Sequence, residues 1–89
     1  MKYSYLEVTY RKGRALAAYY YLPRQGQDKS VRTERIDAGL LVDFSSDGRP
    51  IGIEISSPSR LDLHVLNAAL KRLGQQPVRP EDLSPLVAA

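Results

Sequence analysis

Two apolar segments separated by Asp47-Gly48, within residues 40–55, constrain the fold of this chain more than any other feature. Asp-Gly is a preferred pair for a two-residue type I′ turn, because both central residues of that turn need positive φ. With this structural turn, side-chain alternation along each strand places six apolar residues on one face. The pairs predicted across the hairpin are Phe44 with Ile51, Val42 with Ile53 and Leu40 with Ile55. The sequence therefore predicts an antiparallel hairpin with one buried face.

The other face of this hairpin carries two carboxylates, Asp43 and Glu54. In the predicted register Asp43 lies opposite Gly52, so the two acids are diagonal neighbours with Cβ atoms about 7–8 Å apart at most. Paired carboxylates can act as an acid–base couple or as half of a metal site. Catalysis would also need a third converging group and a pocket. We therefore interpret this outer-face acidic pair as solvated and expect no catalytic residue, with metal-dependent hydrolysis at the pair as an alternative.

A second hairpin is predicted upstream, with strands at residues 3–10 and 14–22. If Lys12-Gly13 is a two-residue loop, the facing pairs are Leu6 with Tyr19, Val8 with Ala17 and Tyr10 with Ala15. The opposite face then carries large apolar and aromatic residues that include Tyr3, Tyr5, Tyr20 and Leu22. Tyrosine suits interfaces, because its ring is buried while its hydroxyl finds a partner. We therefore expect these four residues at the interface of a homodimer.

The remaining segments complete an α+β architecture. A short third strand is predicted at residues 30–36, and a helix at residues 59–73 with Ser59 as N-cap and Gly74 just past its end. We expect a mainly antiparallel sheet of about five strands with one long C-terminal helix packed on one face. Residues 1–74 form this single domain, and residues 75–89 are a proline-rich C-terminal extension.

The composition excludes several classes of site. The chain has no cysteine and one histidine, which excludes disulfides, thiolate metal sites and multi-histidine zinc sites, so neither a metal nor a cofactor is expected. No apolar run approaches the roughly 20 residues that cross a bilayer. The N-terminus also lacks the pattern of a secretory signal peptide. The sequence therefore predicts a cytoplasmic protein without a membrane segment.

Nucleic-acid binding is the alternative function that the sequence leaves open. The net charge is +3, and three cations, Arg11, Lys12 and Arg14, surround the turn of the first hairpin. Several nucleic-acid-binding modules stack bases on aromatic residues of an open sheet, and this chain has six tyrosines. Such binding would weaken steeply with salt. The alternative is therefore a module that uses the tyrosines and the basic hairpin tip.

Two segments of the chain carry a resemblance to a known family. The first is Ala18-Tyr19-Tyr20-Tyr21-Leu22, and the second runs from Val42 through the Asp-Gly turn to the closing Gly-Ile-Glu-Ile strand that ends at Ile55. Both segments resemble the bacterial family called domain of unknown function 2283. The resemblance covers about residues 5–60. It implies a small bacterial protein without accepted enzymatic activity. Some members of the family are encoded beside small toxin-like proteins, which implies an antitoxin-like role toward a protein partner encoded nearby.

The sequence thus predicts a non-catalytic protein-interaction module rather than an enzyme. The apolar residues of the helix cover roughly 200° of the helical wheel, against about 100° for a helix that covers one core. Together with the two-sided apolar hairpin, this surplus predicts a homodimer. A small protein is the other partner we expect.

Overall fold

A computed structural model of the chain describes residues 3–83, which form one antiparallel sheet, one α-helix and two 3-10 turns. The strands are β1 (Tyr5–Arg11), β2 (Arg14–Tyr21), β3 (Arg32–Asp37), β4 (Leu40–Phe44) and β5 (Pro50–Ile55). The helix α1 is Leu63–Arg72, and the 3-10 turns are Pro58–Arg60 and Pro80–Leu83. The strand order is β1-β2-β5-β4-β3. The predicted α+β class with five antiparallel strands is confirmed.

The core contains alternate residues of the strands together with apolar residues that follow the sheet in sequence. Its members in the strands are Ala18, Tyr20, Leu40, Val42, Phe44, Ile53 and Ile55, and Leu22 follows directly after β2. Leu66, Ala69 and Leu70 of α1 belong to the same cluster of buried residues. Because side chains alternate along a strand, the intervening residues lie on the opposite face, which we call the outer face.

The β4–β5 hairpin has the predicted register over most of its length, since Val42 lies opposite Ile53 and Leu40 opposite Ile55. Its turn differs from the expected type I′ form. Only Gly48 has positive φ (86°), and the N–H of Ser45 donates to the carbonyl of Arg49 at 2.9 Å. The loop therefore has three residues with glycine in the left-handed position, which shifts Phe44 from Ile51 to Pro50.

The β1–β2 hairpin contains the type I′ turn instead, since Lys12 (φ 53°) and Gly13 (φ 78°) both have positive φ. Tyr10 lies opposite Ala15 as predicted, but the register then shifts by one residue and leaves Leu16 without a facing partner. The observed pairs beyond this bulge are Leu6 with Tyr20 and Val8 with Ala18. The predicted pairs of Leu6 with Tyr19 and Val8 with Ala17 are therefore wrong, because one extra residue exchanges the two faces of a strand.

Helix α1 is shorter than predicted, because it begins at Leu63 rather than near Ser59. Asp62 is its N-cap, and its side chain accepts a hydrogen bond from the N–H of His64 at 2.8 Å. Pro58–Arg60 forms a separate 3-10 turn, and Leu61 after it is extended. The helix ends as predicted, with Gly74 just past it at positive φ (72°). No helix within residues 3–83 is long and apolar enough to cross a membrane.

The described part of the C-terminal extension contacts the same core. The side chain of Asn67 donates to the carbonyl of Val78 at 3.1 Å and accepts from its N–H at 2.7 Å. Val78 and Leu83 are buried members of the core cluster. Residues 84–89 of the predicted extension lie outside the described residues.

Candidate functional site

A hydrogen-bonded network on the outer face is centred on Asp43. The hydroxyl of Thr33 donates to one carboxylate oxygen of Asp43 at 2.5 Å, and the hydroxyl of Tyr19 donates to the other at 2.7 Å. Partial burial alone would raise the pKa of Asp43, but these hydrogen bonds outweigh burial and lower the pKa below its usual value. Asp43 is therefore a charged carboxylate, and each of its two oxygens accepts a hydrogen bond from a hydroxyl group.

Gly52 makes the contact between Tyr19 and Asp43 possible. Gly52 lies opposite Asp43, as the sequence predicts, and the ring of Tyr19 passes over it. A Cβ atom built on Gly52 would lie 2.0 Å from the Tyr19 hydroxyl oxygen, so no other residue leaves room for this ring. Burial, followed by the hydrogen bond to Asp43, raises the pKa of Tyr19 to about 12. The Tyr19 hydroxyl is thus a fixed donor at neutral pH.

The two acids of the predicted pair, Asp43 and Glu54, have different surroundings. Asp43 belongs to the network with Thr33 and Tyr19, whereas Glu54 is exposed and lies opposite Leu41. Within residues 3–83 there is no group of three or more histidine, aspartate or glutamate residues placed to hold a metal ion. A function for the acidic pair remains a prediction.

Three tyrosines form the aromatic part of the outer face, and we call Tyr5, Tyr19 and Tyr21 the tyrosine cluster. The rings of Tyr5 and Tyr21 stack with centroids 4.3 Å apart and planes 11° apart. Tyr19 meets Tyr21 edge-on at 4.7 Å, and the guanidinium carbon of Arg24 lies 5.1 Å from the centroid of the Tyr21 ring. Such pairs add stability beyond the burial of their surface. The cluster is therefore held in one arrangement.

The predicted interface residues do not share a surface. Tyr20 and Leu22 are 8% and 1% exposed and lie in the core, while Tyr3 and Tyr5 are exposed. The bulge at Leu16 is the cause, because it moves Tyr20 and Leu22 to the face of Leu6. Tyr19 and Tyr21 were counted among the six tyrosines of the sequence but were not named as interface residues. The interface role of the predicted residues stays a prediction.

An ionic clamp holds the loop after β2 against the β4–β5 turn. The guanidinium of Arg49 contacts Asp28 and Asp47, each at 2.7 Å. Ser45 donates a hydrogen bond to Asp47, and with Arg49 it lowers the pKa of Asp47 to about 2. The predicted turn residue Asp47 thus stabilises the loop through its side chain, while Gly48 supplies the positive φ.

A basic groove lies between the β1–β2 turn and the 3-10 turn Pro58–Arg60, with a volume of about 770 Å³. The predicted nucleic-acid contacts Arg11, Lys12 and Arg14 all line it. Arg60, which sequence reasoning did not connect with them, lines the same groove. The remaining lining residues are Ala15, Leu16, Ser56, Ser57, Pro58 and Ser59. The groove therefore collects four cations and no carboxylate among the residues that line it.

The basic tip and the stacked tyrosines lie at opposite ends of one hairpin. Arg11 lies opposite Arg14 at the turn, whereas Tyr5 lies opposite Tyr21 six residues away along β1. At about 3.3 Å per residue this separation is roughly 20 Å. The tyrosine cluster and the basic groove are therefore two surfaces.

Residues 17–57 match the model of a family described as "Protein of unknown function (DUF2283)". The match runs from within β2 to just past the end of β5, so it includes Tyr19, Asp43 and Gly52 but neither β1 nor α1. No curated protein and no solved structure matches the chain. The resemblance seen in the sequence is thereby confirmed over residues 17–57, where the chain matches this family of proteins of unknown function.

Proposed function

We propose that this chain is a non-catalytic protein-interaction module that binds its partner through the outer face of the sheet. The tyrosine cluster is the observation that supports this proposal, since its rings are fixed against one another while part of their surface stays open. Tyr5 is 45% exposed, and Tyr19 and Tyr21 are half-buried. The buried residues of α1 share a cluster with core-facing strand residues, so we infer that the helix covers the opposite face.

The fixed arrangement of the tyrosine cluster favours binding energetically. Ordering a flexible side chain at an interface costs about 0.5–1.5 kcal/mol. Tyr19 is already ordered by its hydrogen bond to Asp43, and Tyr21 by its contacts with Tyr5 and Arg24. Tyrosine is also among the residues that contribute most to binding energy at protein interfaces. A partner would therefore meet an aromatic surface that needs little reorganisation.

The same network supports a role without catalysis. Both oxygens of Asp43 accept hydrogen bonds from neighbouring hydroxyls, and the lowered pKa of this carboxylate makes it a weaker base. With a pKa of about 12, the Tyr19 hydroxyl stays protonated at neutral pH and supplies no nucleophilic phenolate. We propose that both groups serve to hold the ring of Tyr19 in place.

A second copy of the chain is the first partner we propose, in the form of a two-fold homodimer that buries the tyrosine cluster. The second partner we propose is a small protein encoded nearby. In the most specific form of this proposal, that partner is a toxin-like protein and this chain neutralises it. We place this interaction in the cytoplasm.

The test compares two tyrosine variants on the same strand. Tyr5 and Tyr10 are 45% and 46% exposed, so Tyr5→Ser and Tyr10→Ser remove similar exposed rings, but only Tyr5 belongs to the tyrosine cluster. We expect sedimentation velocity to show a dimer for the unmodified chain and Tyr10→Ser, and a shift toward monomer for Tyr5→Ser. A small protein captured by the tagged chain after nuclease treatment should likewise lose affinity for Tyr5→Ser alone.

Two outcomes would contradict the proposal. One is a monomer at tens of micromolar that captures no protein after nuclease treatment. The other is equal loss of association in both tyrosine variants, because the effect would then not depend on the tyrosine cluster.

The nucleic-acid alternative keeps one supporting observation, the basic groove with its four cations. The tyrosines do not support it in the form that the sequence suggested, since the stacked pair lies roughly 20 Å from the tip. We therefore assign this alternative to the groove alone.

A further inference from the structure

We propose that the basic groove is a binding site for phosphate groups, held by Arg11, Lys12, Arg14 and Arg60. Three of these cations come from the β1–β2 turn and the fourth from the 3-10 turn after β5. Residues distant in sequence thus converge on one groove that no carboxylate lines. The inference concerns a surface other than the tyrosine cluster, so it stands or fails independently of the proposed protein interaction.

The charges of the groove are not neutralised within the described chain. Elsewhere, Arg49 pairs with Asp28 and Asp47, and Arg72 approaches Asp37 at 3.9 Å. Further pairs join Arg32 to Glu34 and Arg79 to Asp82 and Glu81. By contrast, none of the ion pairs found within residues 3–83 includes a cation of the groove. Four cations that form no ion pair within residues 3–83 therefore lie together at this site.

The strand register makes this concentration of charge unfavourable without an anion. Arg11 and Arg14 lie directly opposite each other across the β1–β2 hairpin. Like charges at facing positions destabilise an antiparallel pair. A bound anion between them would turn this repulsion into attraction.

The side chains around the groove match the chemistry of a phosphate group. Guanidinium groups bind phosphate oxygens through two parallel N–H donors, and three of the four cations are arginines. Ser57 and Ser59 line the groove and carry hydroxyl donors. Two acids, Asp37 and Asp62, line a neighbouring groove on which Arg60 also borders, and neither of them lines the basic groove. The site is thus cationic and rich in donors, as a phosphate ligand requires.

The test compares two double variants with the same loss of charge. Arg14→Ser/Arg60→Ser removes two cations of the groove, whereas Arg35→Ser/Lys71→Ser removes two exposed cations outside it. Binding of a short fluorescein-labelled oligothymidylate is measured by anisotropy over a range of salt concentrations. We expect the groove variant to bind about tenfold more weakly or worse and the control to resemble the unmodified chain. The salt slope should fall by about 0.7 for each phosphate group that the variant no longer neutralises.

Competition with pyrophosphate distinguishes the two sources of phosphate. If the oligothymidylate binds far more tightly than pyrophosphate, the ligand is a nucleic-acid backbone. If both bind alike and compete, the ligand is a small phosphorylated molecule. Equal weakening in both double variants would overturn the proposal, because net charge alone would then explain binding. Failure of the unmodified chain to bind either probe at low salt would overturn it as well.

Discussion

Gly52 determines the geometry of the outer face although it has no side chain. Its position opposite Asp43 leaves a gap that the ring of Tyr19 crosses to reach the carboxylate. The atoms that a Cβ would meet are the far end of the Tyr19 side chain, so this ring would move rather than the backbone. The close approach of an aromatic ring explains a glycine within a strand, where it otherwise costs stability.

We expect Gly52→Ala to displace Tyr19 and break its hydrogen bond to Asp43. The free energy of unfolding should fall by about 1–3 kcal/mol, the usual cost of overpacking. The pKa of Tyr19, now about 12, should move toward the ordinary value of 10.0, because burial and the hydrogen bond that raise it are both reduced. Denaturant titration gives the first quantity, and phenolate absorbance gives the second, with Tyr19→Phe to identify the residue.

The raised pKa of Tyr19 also predicts how the free energy of unfolding depends on pH in the alkaline range. A tyrosine whose pKa is raised by folding contributes stability below pH 10 that is lost as pH rises toward 12. The Gly52→Ala variant should lack this contribution, so its free energy of unfolding should already be lower than that of the unmodified chain at neutral pH. Gly26→Ala is the control, since a Cβ there meets no atom within 4 Å. Equal effects of the two substitutions, or an unchanged Tyr19 pKa, would show that the ring does not depend on Gly52.

At the scale of elements, the two hairpins show why one register was predictable and the other was not. In β4–β5 only one alternation buries the isoleucines and leaves Asp43 outside, so a slip would have been unfavourable. In β1–β2 both alternations are largely apolar, and a single bulged residue, Leu16, reverses the faces. The sequence predicted that Asp43 lies opposite Gly52, and this pairing is part of the network on the outer face. Arg60 joins the basic groove only through the tertiary fold, so no local sequence pattern indicated that it lies near Arg11, Lys12 and Arg14.

Asn67 connects α1 to the extension that follows it. Its side-chain amide pairs with both backbone groups of Val78, as a neighbouring strand would. We expect Asn67→Ala to lower the free energy of unfolding by about 1–3 kcal/mol, because buried backbone groups lose their partners. Amide hydrogen exchange at Val78 should become faster than in the unmodified chain.

Lys71→Ala is the matched control for Asn67→Ala, because Lys71 lies on the same helix and is exposed. It should leave both the free energy of unfolding and the exchange at Val78 nearly unchanged. If Asn67→Ala behaves like this control, the pairing with Val78 does not hold the extension on the helix.

At the scale of the whole molecule, the two candidate surfaces do not overlap. The tyrosine cluster is joined to Asp43 and the matched family segment, whereas the groove combines the β1–β2 turn with the 3-10 turn beyond residue 57. The groove therefore depends on parts of the chain that the family match does not include. This arrangement allows one surface to bind while the other is substituted, so the two proposals can be tested separately.

The boundary predicted at residue 74 can be tested by truncation. Val78 and Leu83 are 2% and 6% exposed in the core, and burying a side chain of this size contributes about 1.5–3 kcal/mol as an upper estimate. Small domains have about 5–15 kcal/mol in total. We therefore expect a chain that ends at Gly74 to be unfolded or only marginally stable, as measured by urea titration with circular dichroism. A chain that ends at Leu83 keeps both residues and should retain most of its stability. Equal stability of the two chains would show that residues 1–74 form the complete folding unit.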